Sequence, residues 1–368
     1  MPNDYNRRQL QLVLEMMMTT SRRLLPEWAP QEAVILAWPH ADTDWAPWLE
    51  QARSLYIELI HAINQADCGV LLLIREGDMA DFQRRVNSTD KVLLLKANPN
   101  DTWLRDYGFL TCQSEQGMQP VEYQFNGWGN KFDASRDNRA NREILAQLCK
   151  LPLISTDIVA EGGALEIDAD GHLLSTSLCL LNPERNGQMS LDDYRAQFKQ
   201  YLGASQVSIF ENGHLEGDDT DGHIDTLVRF TPDQGLVIQS CYNRPDDGHF
   251  AGLQALVEEC RQALPQHQIF ELPLPVIFSD EGDRLPASYA NYLINNQQVL
   301  CPIYGQPEDQ LALDLLAKAY PAHKIVALDC AVLVQQYGSL HCISMQVPQG
   351  TLKDEVIAQL RKGVSVYG

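Results

Sequence analysis

The spacing of apolar and polar residues along this chain predicts a mixed α/β protein. Apolar residues that recur every three or four positions indicate amphipathic helices, and short apolar runs between them indicate buried strands. The helical pattern covers residues 4–24, 46–65, 141–150, 191–202, 253–264, 308–319 and 352–362. The strand pattern covers residues 33–37, 69–74, 91–95, 121–125, 152–159, 172–176, 207–210, 237–239, 287–296, 298–302, 324–328 and 340–345.

The predicted helices are spaced regularly. They begin near residues 46, 138, 191, 251 and 308, and the later ones follow at intervals of roughly 55–60 residues, with short strands around each. This order indicates five repeated units, although their sequences do not visibly repeat. No low-complexity linker divides the chain, so we expect a single domain over residues 1–368 with an additional N-terminal helix at about 4–24. A doubly wound α/β fold is the alternative.

The amino-acid composition limits the kinds of molecule that the protein is expected to bind. The chain has 368 residues, of which 28 are Lys or Arg and 49 are Asp or Glu, giving a formal net charge of -21. A charge of this sign repels nucleic acids and anionic membranes and attracts small cations. No apolar run is long enough for a membrane span, and residues 1–18 do not have the pattern of a secretion signal. Nine cysteines without a CxxC motif indicate reduced thiols, so we expect a cytoplasmic protein.

The most distinctive segment is LEGDDTDGHIDTLVRF at residues 215–230, where negative charge precedes an apolar strand. Five carboxylates and one histidine, His223, lie between Glu216 and Asp225. Like charges at this spacing repel one another, so the cluster costs stability unless a cation binds there.

Several cations could fulfil this role. The register is wrong for a calcium loop, because Gly217 would take the first ligand position and Val228 the closing one. No second His or Cys lies at a zinc-binding spacing. An organic cation is the other candidate, since two carboxylates can each accept paired hydrogen bonds from a guanidinium. A solvated acidic turn without a ligand is the third interpretation.

Three further segments combine charged or reactive residues with apolar neighbours. DTWLRDYGFL at residues 101–110 contains Arg105 and Asp106, which are seldom buried unless paired. Glu161 precedes two glycines, which either allow close backbone approach to the acid or form an ordinary turn. Cys342 lies in GSLHCISMQ, where it is either an inert buried thiol or a nucleophile served by a separate histidine.

Together these motifs resemble the agmatine deiminases, also called the bacterial-type peptidylarginine deiminase family, within the guanidino-group-modifying enzymes of pentein fold. The matching segments follow the family order over almost the whole chain: WPHADTDW (38–45), DTWLRDYG (101–108), FNGWG (125–129), EGGALEID (161–168), LCLLNPERN (178–186), DDTDGHID (218–225), SYANYLINN (288–296) and LHCIS (340–344). The chain departs from the family pattern at RDYGF, QYGSLHC and EGGALEIDADGH. The resemblance implies a pentein α/β-propeller of five pseudosymmetric ββαβ units around a central active site.

The resemblance also implies roles for individual residues. Cys342 corresponds to the nucleophile, His223 to the general acid and base, and Glu161 to the acid that holds the histidine. Asp106 and Asp225 correspond to the carboxylates that bind the guanidinium.

Three more residues are candidates for binding the rest of the substrate. Trp103 and Trp128 could cover its alkyl stem, although ordinary core packing is an equal alternative. Asp219 could bind a distal amine.

The function implied is hydrolysis of agmatine to N-carbamoylputrescine and ammonia, without a metal or organic cofactor. Deimination of free or peptidyl arginine, or of another guanidino compound, is the alternative within the same fold. A polyamine-binding module without catalysis is an alternative of another class, and a purely structural protein leaves the Cys, His and acid set unexplained. The expected partner is a small cationic guanidino compound, with no nucleic acid or membrane, and a homodimer is expected at this size.

Overall fold

A computed structural model describes residues 22–368 of the chain as a mixed array of helices and short strands. The α-helices are α1 (Leu49–Gln65), α2 (Met79–Arg85), α3 (Leu104–Tyr107), α4 (Ala140–Glu143), α5 (Ser177–Leu180), α6 (Pro183–Asn186), α7 (Leu191–Leu202), α8 (Phe250–Ala263), α9 (Asp309–Ala319) and α10 (Asp354–Leu360). Gly127–Asn130 forms one further helical turn with left-handed residues inside it.

The strands of the same residues are β1 (Arg22–Leu24), β2 (Gln31–Ala37), β3 (Gly69–Ile74), β4 (Val92–Lys96), β5 (Leu110–Ser114), β6 (Gly117–Gln124), β7 (Ile154–Val159), β8 (Glu166–Ile167), β9 (His172–Thr176), β10 (Gln206–Phe210), β11 (Val228–Thr231), β12 (Gly235–Gln239), β13 (Gln268–Leu272), β14 (Ile277–Phe278), β15 (Arg284–Leu285), β16 (Leu293–Asn295), β17 (Gln298–Ile303), β18 (Lys324–Asp329), β19 (Ser344–Pro348) and β20 (Ser365–Val366).

The strands pair in one recurring order, an antiparallel pair followed by a helical crossover to a parallel strand. This order holds for β5-β6-β7, β8-β9-β10, β11-β12-β13 and β16-β17-β18. Parallel neighbours need such a crossover because their connection must return to the same end of the sheet. The predicted repeat of strands around a helix is therefore confirmed.

The two ends of the chain complete the fifth unit together. β19, close to the C-terminus, pairs antiparallel with β2, and β2 continues through α1 into the parallel strand β3. The register places Ser344 opposite Leu36, so the segment that carries Cys342 is fixed to a strand formed 300 residues earlier. β3 reads GVLLLI and is buried at every position, as expected for a parallel strand covered on both faces.

Several predicted elements differ from the structure. The predicted helix 4–24 lies outside the described residues up to residue 21, and its last three residues instead form β1, which pairs with β5. Within the predicted strand 287–296 only Leu293–Asn295 pairs, and the predicted strand 340–345 begins at Ser344. The helix predicted over 141–150 is divided into α4 and a 3-10 turn at Leu145–Leu148.

No helix within residues 22–368 combines the length and the apolar character needed to cross a membrane. The nine cysteines are all free and buried, in agreement with the predicted absence of a disulfide framework.

Candidate active site

The acidic segment uses part of its charge for its own structure. Asp218 accepts hydrogen bonds from backbone N–H groups of its own loop at 2.6 and 2.9 Å. Asp221 forms ion pairs with Arg185 at 2.7 Å and Lys131 at 2.8 Å. The protein therefore supplies its own partners for these two carboxylates. Asp225 has a different set of contacts.

Asp225 lies in the 3-10 turn Ile224–Thr226 and is fully buried. Its Oδ2 lies 2.7 Å from Nδ1 of His341, while its Oδ1 has no hydrogen-bond partner among residues 22–368. Burial alone would raise the pKa of Asp225, but the hydrogen bond and charge of His341 lower it overall. An ionised, buried oxygen without a partner is suited to accept a hydrogen bond from a bound cation.

Asp106 reaches the same region from α3, a single helical turn. Its Oδ2 accepts a hydrogen bond from Trp128 Nε1 at 2.9 Å, and its Oδ1 accepts one from the backbone N–H of Gly163 at 3.0 Å. Burial raises the pKa of Asp106 to about 6. Arg105 is directed elsewhere, since its Nη1 donates to Gln346 Oε1 at 2.8 Å. Arg105 and Asp106 are both buried, but they do not form an ion pair with each other.

Gly163 is the point on which three predicted site residues converge. A Cβ at this position would lie 2.6 Å from His223 Nδ1, 2.8 Å from Asp106 Oδ1 and 3.0 Å from Asp225 Oδ2. No side chain fits in this space, so glycine is needed for the two carboxylates and the imidazole to come together. The interpretation of the two glycines as a close backbone approach is confirmed.

His223 lies between two carboxylates without a tight hydrogen bond to either. Its Nδ1 is 3.6 Å from Asp106 Oδ1, and its Nε2 is 3.7 Å from Glu161 Oε2. Burial alone would lower the pKa of His223, but the charge of Asp106 and the polar contacts with Cys179 and Glu161 raise it well above its usual value. Neither ring nitrogen is therefore committed to a short hydrogen bond with a carboxylate.

Glu161 holds a buried cation on its other side. Nε of Arg185 donates to both carboxylate oxygens at 2.9 and 3.0 Å. Burial alone would raise the pKa of Glu161, but His223 and Arg185 lower it overall. The Cys179 thiol donates to Glu161 Oε2 at 3.8 Å.

Glu161, Cys179 and His223 are also the group best placed to hold a metal within residues 22–368. One potential ligand atom from each lies within 4.8 Å of the others. Both oxygens of Glu161 are already bonded to Arg185, so this carboxylate serves a protein cation in the structure.

Cys342 lies in the turn that precedes β19 and is 9% exposed. Its Sγ accepts a hydrogen bond from Nδ2 of Asn291 at 3.2 Å. Oδ1 of the same amide accepts the backbone N–H of His341 at 3.1 Å, which fixes the orientation of the amide group. Burial, followed by the negative charges of Asp225 and Asp106, raises the pKa of the Cys342 thiol well above its usual value.

A cavity of about 90 Å³ opens onto Cys342 and is strongly acidic. Its lining includes four carboxylates, four aromatic side chains and the cysteine: Asp44, Asp101, Asp106, Asp219, Trp103, Trp128, Phe132, Tyr337 and Cys342. No Lys or Arg is among the described residues that line it. His223, Glu161 and Asp225 lie behind this lining, around Gly163.

Trp103 and Trp128 belong to the hydrophobic core and also line the cavity. Trp103 packs against Trp45 with the ring centroids 5.7 Å apart, and Trp128 donates its indole N–H to Asp106. Asp219 also lines the cavity, and burial together with the charge of Asp218 raises the pKa of Asp219 to about 6.

Sequence reasoning did not identify the residues that support the site. Asn291 and His341 lie within the matched segments SYANYLINN and LHCIS, and Arg185 and Cys179 within LCLLNPERN. These segments were therefore a usable signal. Glu27, which contacts His341, lies in no matched segment, and nothing local distinguishes it.

Five ββαβ units around a buried cysteine, a histidine and two carboxylates define the pentein-fold enzymes that modify guanidino groups. The chain belongs to the Porphyromonas-type peptidyl-arginine deiminase family, whose sequence model matches residues 23–348. It is accordingly a hydrolase that acts on the C–N bonds of guanidino groups.

Relatives with solved structures or curated names agree with this assignment. A Cys-to-Ser variant of the C. jejuni agmatine deiminase, solved with substrate bound, is 32% identical with a TM-score of 0.83, over 91% of this chain and 98% of that one. A structure from Porphyromonas gingivalis, provisionally named an arginine deiminase, is 35% identical with a TM-score of 0.82, over 90% and 100% of the two chains. A Vibrio parahaemolyticus protein, provisionally named an agmatine deiminase, is 31% identical over 88% of this chain and 95% of its own.

Proposed function

We propose that the protein hydrolyses agmatine to N-carbamoylputrescine and ammonia through a covalent amidino-thioether on Cys342. The supporting observation is the acidic cavity, in which a cysteine thiol faces Asp106 while the unpaired Oδ1 of Asp225 lies close behind. A guanidinium is a planar cation whose N–H groups match carboxylates on two sides.

The charge of the cavity favours agmatine over arginine. Arginine carries an α-carboxylate, which needs a positively charged or hydrogen-bonding partner, whereas agmatine carries a second ammonium. The described lining contains carboxylates at Asp44, Asp101 and Asp219 and no Lys or Arg. We therefore assign Asp219 to the distal amine, and Trp103 and Trp128 to the alkyl stem between the two cations.

Substrate binding prepares the nucleophile. Burial, together with the charges of Asp225 and Asp106, raises the pKa of the Cys342 thiol, and a bound guanidinium offsets both charges. The thiol proton then passes to solvent water, and the amide N–H of Asn291 remains as a hydrogen-bond donor to the thiolate. Because the carboxylates fix the plane of the guanidinium, its central carbon is directed toward Sγ.

The reaction then follows in two stages. Attack of the thiolate forms a tetrahedral intermediate, and His223 gives its proton to the departing ammonia, leaving the amidino-thioether. The neutral imidazole next removes a proton from water, which attacks the same carbon. Collapse of the second intermediate breaks the C–S bond and releases the ureido product and the Cys342 thiolate, while the hydroxyl proton of the intermediate passes to solvent. Glu161 stabilises the charged form of His223 in the first stage.

We further propose the setting that this reaction implies. The chain acts as a single domain over residues 1–368, as a homodimer in the cytoplasm, in putrescine biosynthesis. The proposed steps use only protein side chains and water, and the partner is the small guanidino compound, with no nucleic acid or membrane.

The test is turnover by the purified protein. Agmatine, arginine and a peptide ending in arginine are incubated separately, and ureido product and ammonia are measured. We expect turnover of agmatine by the wild type and by Cys112→Ala, which removes a buried cysteine outside the cavity. We expect none by Cys342→Ala. His223→Ala should retain agmatine binding without turnover.

Other outcomes would select the alternatives. Preference for arginine or the peptide would assign the alternative deiminase activity. Binding of agmatine without turnover, together with labelling of Cys342 by a haloacetamidine no faster than that of the other thiols, would instead indicate a polyamine-binding module.

A further inference from the structure

Two buried chains of charged groups extend from the site, and they have the same order of residue types. Each runs from an aspartate through a histidine, a glutamate and an arginine to a final carboxylate. The first is Asp106, His223, Glu161, Arg185 and Asp221. The second is Asp225, His341, Glu27, Arg229 and Glu166. The two leading aspartates are the proposed guanidinium ligands.

The chains differ in how tightly they hold the histidine. In the first, His223 lies 3.6 and 3.7 Å from its two carboxylates, beyond the length of a good hydrogen bond. In the second, His341 lies 2.7 Å from Asp225 Oδ2 through Nδ1 and 2.7 Å from Glu27 Oε2 through Nε2. One imidazole is free to change partners, whereas the other is fixed at both nitrogens.

The tight geometry sets the proton count of His341. An ionised carboxylate only accepts hydrogen bonds, so each nitrogen that faces one at 2.7 Å must carry a proton. Burial alone would raise the pKa of Glu27, but its ion pair with Arg229 holds that pKa below its usual range. The 2.7 Å contact between Asp225 Oδ2 and Nδ1 also needs one proton between its two atoms, and we place it on the imidazole. Both ring nitrogens of His341 are therefore donors, which is the charged imidazolium form.

The surroundings of His341 hold the residue in place. The ring is 1% exposed, and its backbone carbonyl accepts a hydrogen bond from Nε of Arg105 at 3.3 Å. Arg229 binds Glu27 on the far side and Glu166 at 2.9 Å, so Glu27 cannot turn away from the ring. No other carboxylate contacts the His341 ring within residues 22–368.

We propose that His341 is a positioning residue, a doubly protonated imidazole that fixes the rotamer of Asp225 and leaves Oδ1 as the only oxygen of that carboxylate free to accept the substrate guanidinium. This inference rests on the proposed function, because it assumes that Asp225 binds that group. His223 moves protons in the reaction, and His341 does not. The two histidines thus divide proton transfer and substrate binding between two similar chains.

The first test uses the protein without substrate, so that it does not depend on the proposed reaction. Histidine is labelled with ¹⁵N, and long-range ¹H–¹⁵N spectra of the wild type and His341→Gln are compared at pH 7.5. The resonances lost in the variant should be those of an imidazole with protons on both nitrogens. If His341→Gln does not fold, Glu27→Gln is used instead. It changes the carboxylate on the side of His341 that faces away from Asp225, and it should shift the same resonances. Resonances of a neutral tautomer would overturn the inference.

The second test separates binding from chemistry. In a Cys342→Ala background, calorimetry measures binding of agmatine and of methylguanidine, which has the guanidinium but no second amine. His341→Gln should weaken both on the order of 10- to 100-fold, the range for loss of a hydrogen bond to a charged group. His172→Gln is the matched control, a buried histidine whose Nε2 bonds Ser208 Oγ at 2.8 Å, and it should bind as the parent does.

Turnover distinguishes the remaining outcomes. With Cys342 restored, His341→Gln should raise KM more than it lowers kcat, whereas His223→Gln should abolish kcat. Unchanged affinity together with a lost kcat in His341→Gln would place His341 in proton transfer and overturn the positioning role. Absence of turnover for every guanidino compound, with the doubly protonated His341 and the weakened methylguanidine binding still observed, would reject the proposed function and retain this inference.

Discussion

The protein holds the two carboxylates that we propose as guanidinium ligands in different ways. Asp106 accepts hydrogen bonds from two neutral groups, the indole N–H of Trp128 and the backbone N–H of Gly163. Asp225 is bound through one oxygen to an imidazole. Both are buried, so each loses solvation that a bound guanidinium can replace.

Replacing either aspartate with asparagine should impair the reaction strongly. Asp106→Asn and Asp225→Asn keep the side-chain volume, remove the charge and turn a donor toward the substrate. Loss of a buried charged hydrogen bond costs about 2–5 kcal/mol, which corresponds to a decrease in kcat/KM on the order of 30-fold to several thousand-fold. Steady-state kinetics measure this, with folding checked by circular dichroism. Near wild-type kcat/KM in both variants for every guanidino substrate would mean that neither residue binds the cation.

The structure changes the choice of control for that experiment. From the sequence, Asp137 and Asp247 are neutral controls, because they lie outside every matched segment. Asp137 is a poor control in the structure, because it is buried and accepts the backbone N–H groups of Asn100 at 2.6 Å and Asp101 at 3.2 Å beside the cavity. Asp247 is paired with Arg284. The exposed Asp157 is a better control, and Asp157→Asn should leave kcat/KM unchanged.

Asp106 also sets an expected acid limit of activity. Its pKa is raised to about 6, so the carboxylate is neutral below that pH and charged above it. Since only the charged form attracts a cation, kcat/KM should fall as the pH drops through about 6, in proportion to the ionised fraction. A pH profile of kcat/KM measures this. The residual activity of Asp106→Asn should not show this decrease in kcat/KM at low pH. An unchanged decrease would mean that another group causes it, such as Asp219, whose pKa is also raised to about 6.

At the level of elements, the regular helices and buried parallel strands could be predicted because their apolar spacing alone determines them. β3 and α7 lie where the pattern placed them. The segments that build the site could not be predicted in this way. Residues 288–291 have strand-like composition, but Ser288 and Asn291 hydrogen-bond to the chain around Thr226 and His341 instead of a neighbouring strand. Polar side chains that bind backbone groups compete with strand pairing.

The left-handed turn Gly127–Asn130 is a second element that no periodicity indicates, and it should be sensitive to substitution. Gly127 has φ 68°, and a Cβ there would lie 2.2 Å from the carbonyl oxygen of Phe132. Gly127→Ala should therefore lower the free energy of unfolding by about 1–3 kcal/mol. It should also reduce kcat/KM, because Trp128 follows in the same turn and its bond to Asp106 would be displaced. Thermal unfolding and steady-state kinetics report the two effects.

A second glycine provides the control. Gly252 lies in α8, and a Cβ added there meets nothing within 4 Å. Gly252→Ala should raise the free energy of unfolding by about 0.4–1 kcal/mol, because alanine restricts the unfolded chain, and it should leave kcat/KM unchanged. Full activity and stability in Gly127→Ala would show that the turn does not position Trp128.

At the scale of the whole molecule, the site depends on contacts that no local sequence signal contains. Glu27 lies between β1 and β2, yet it binds His341 more than 300 residues later. That contact exists because β19 pairs with β2 and completes the ring of units. The matched segments predicted Cys342, His223 with its neighbouring acid Glu161, and both aspartates as site residues. They could not predict which distant acid would neutralise which buried cation, because that depends on ring closure.

The net charge of -21 should act on the whole encounter with substrate, beyond the carboxylates in the cavity. Agmatine has two positive charges, and arginine has a net charge of one, so the field should attract agmatine more strongly. The screening length falls from about 30 Å at 0.01 M salt to about 3 Å at 1 M. Over that range kcat/KM for agmatine should fall roughly 10-fold, and any activity on arginine should fall less. Parallel series in NaCl and KCl exclude a specific ion effect. A kcat/KM for agmatine that does not change with salt would show that only the carboxylates close to Cys342 attract the substrate, and that the remaining surface charge does not contribute.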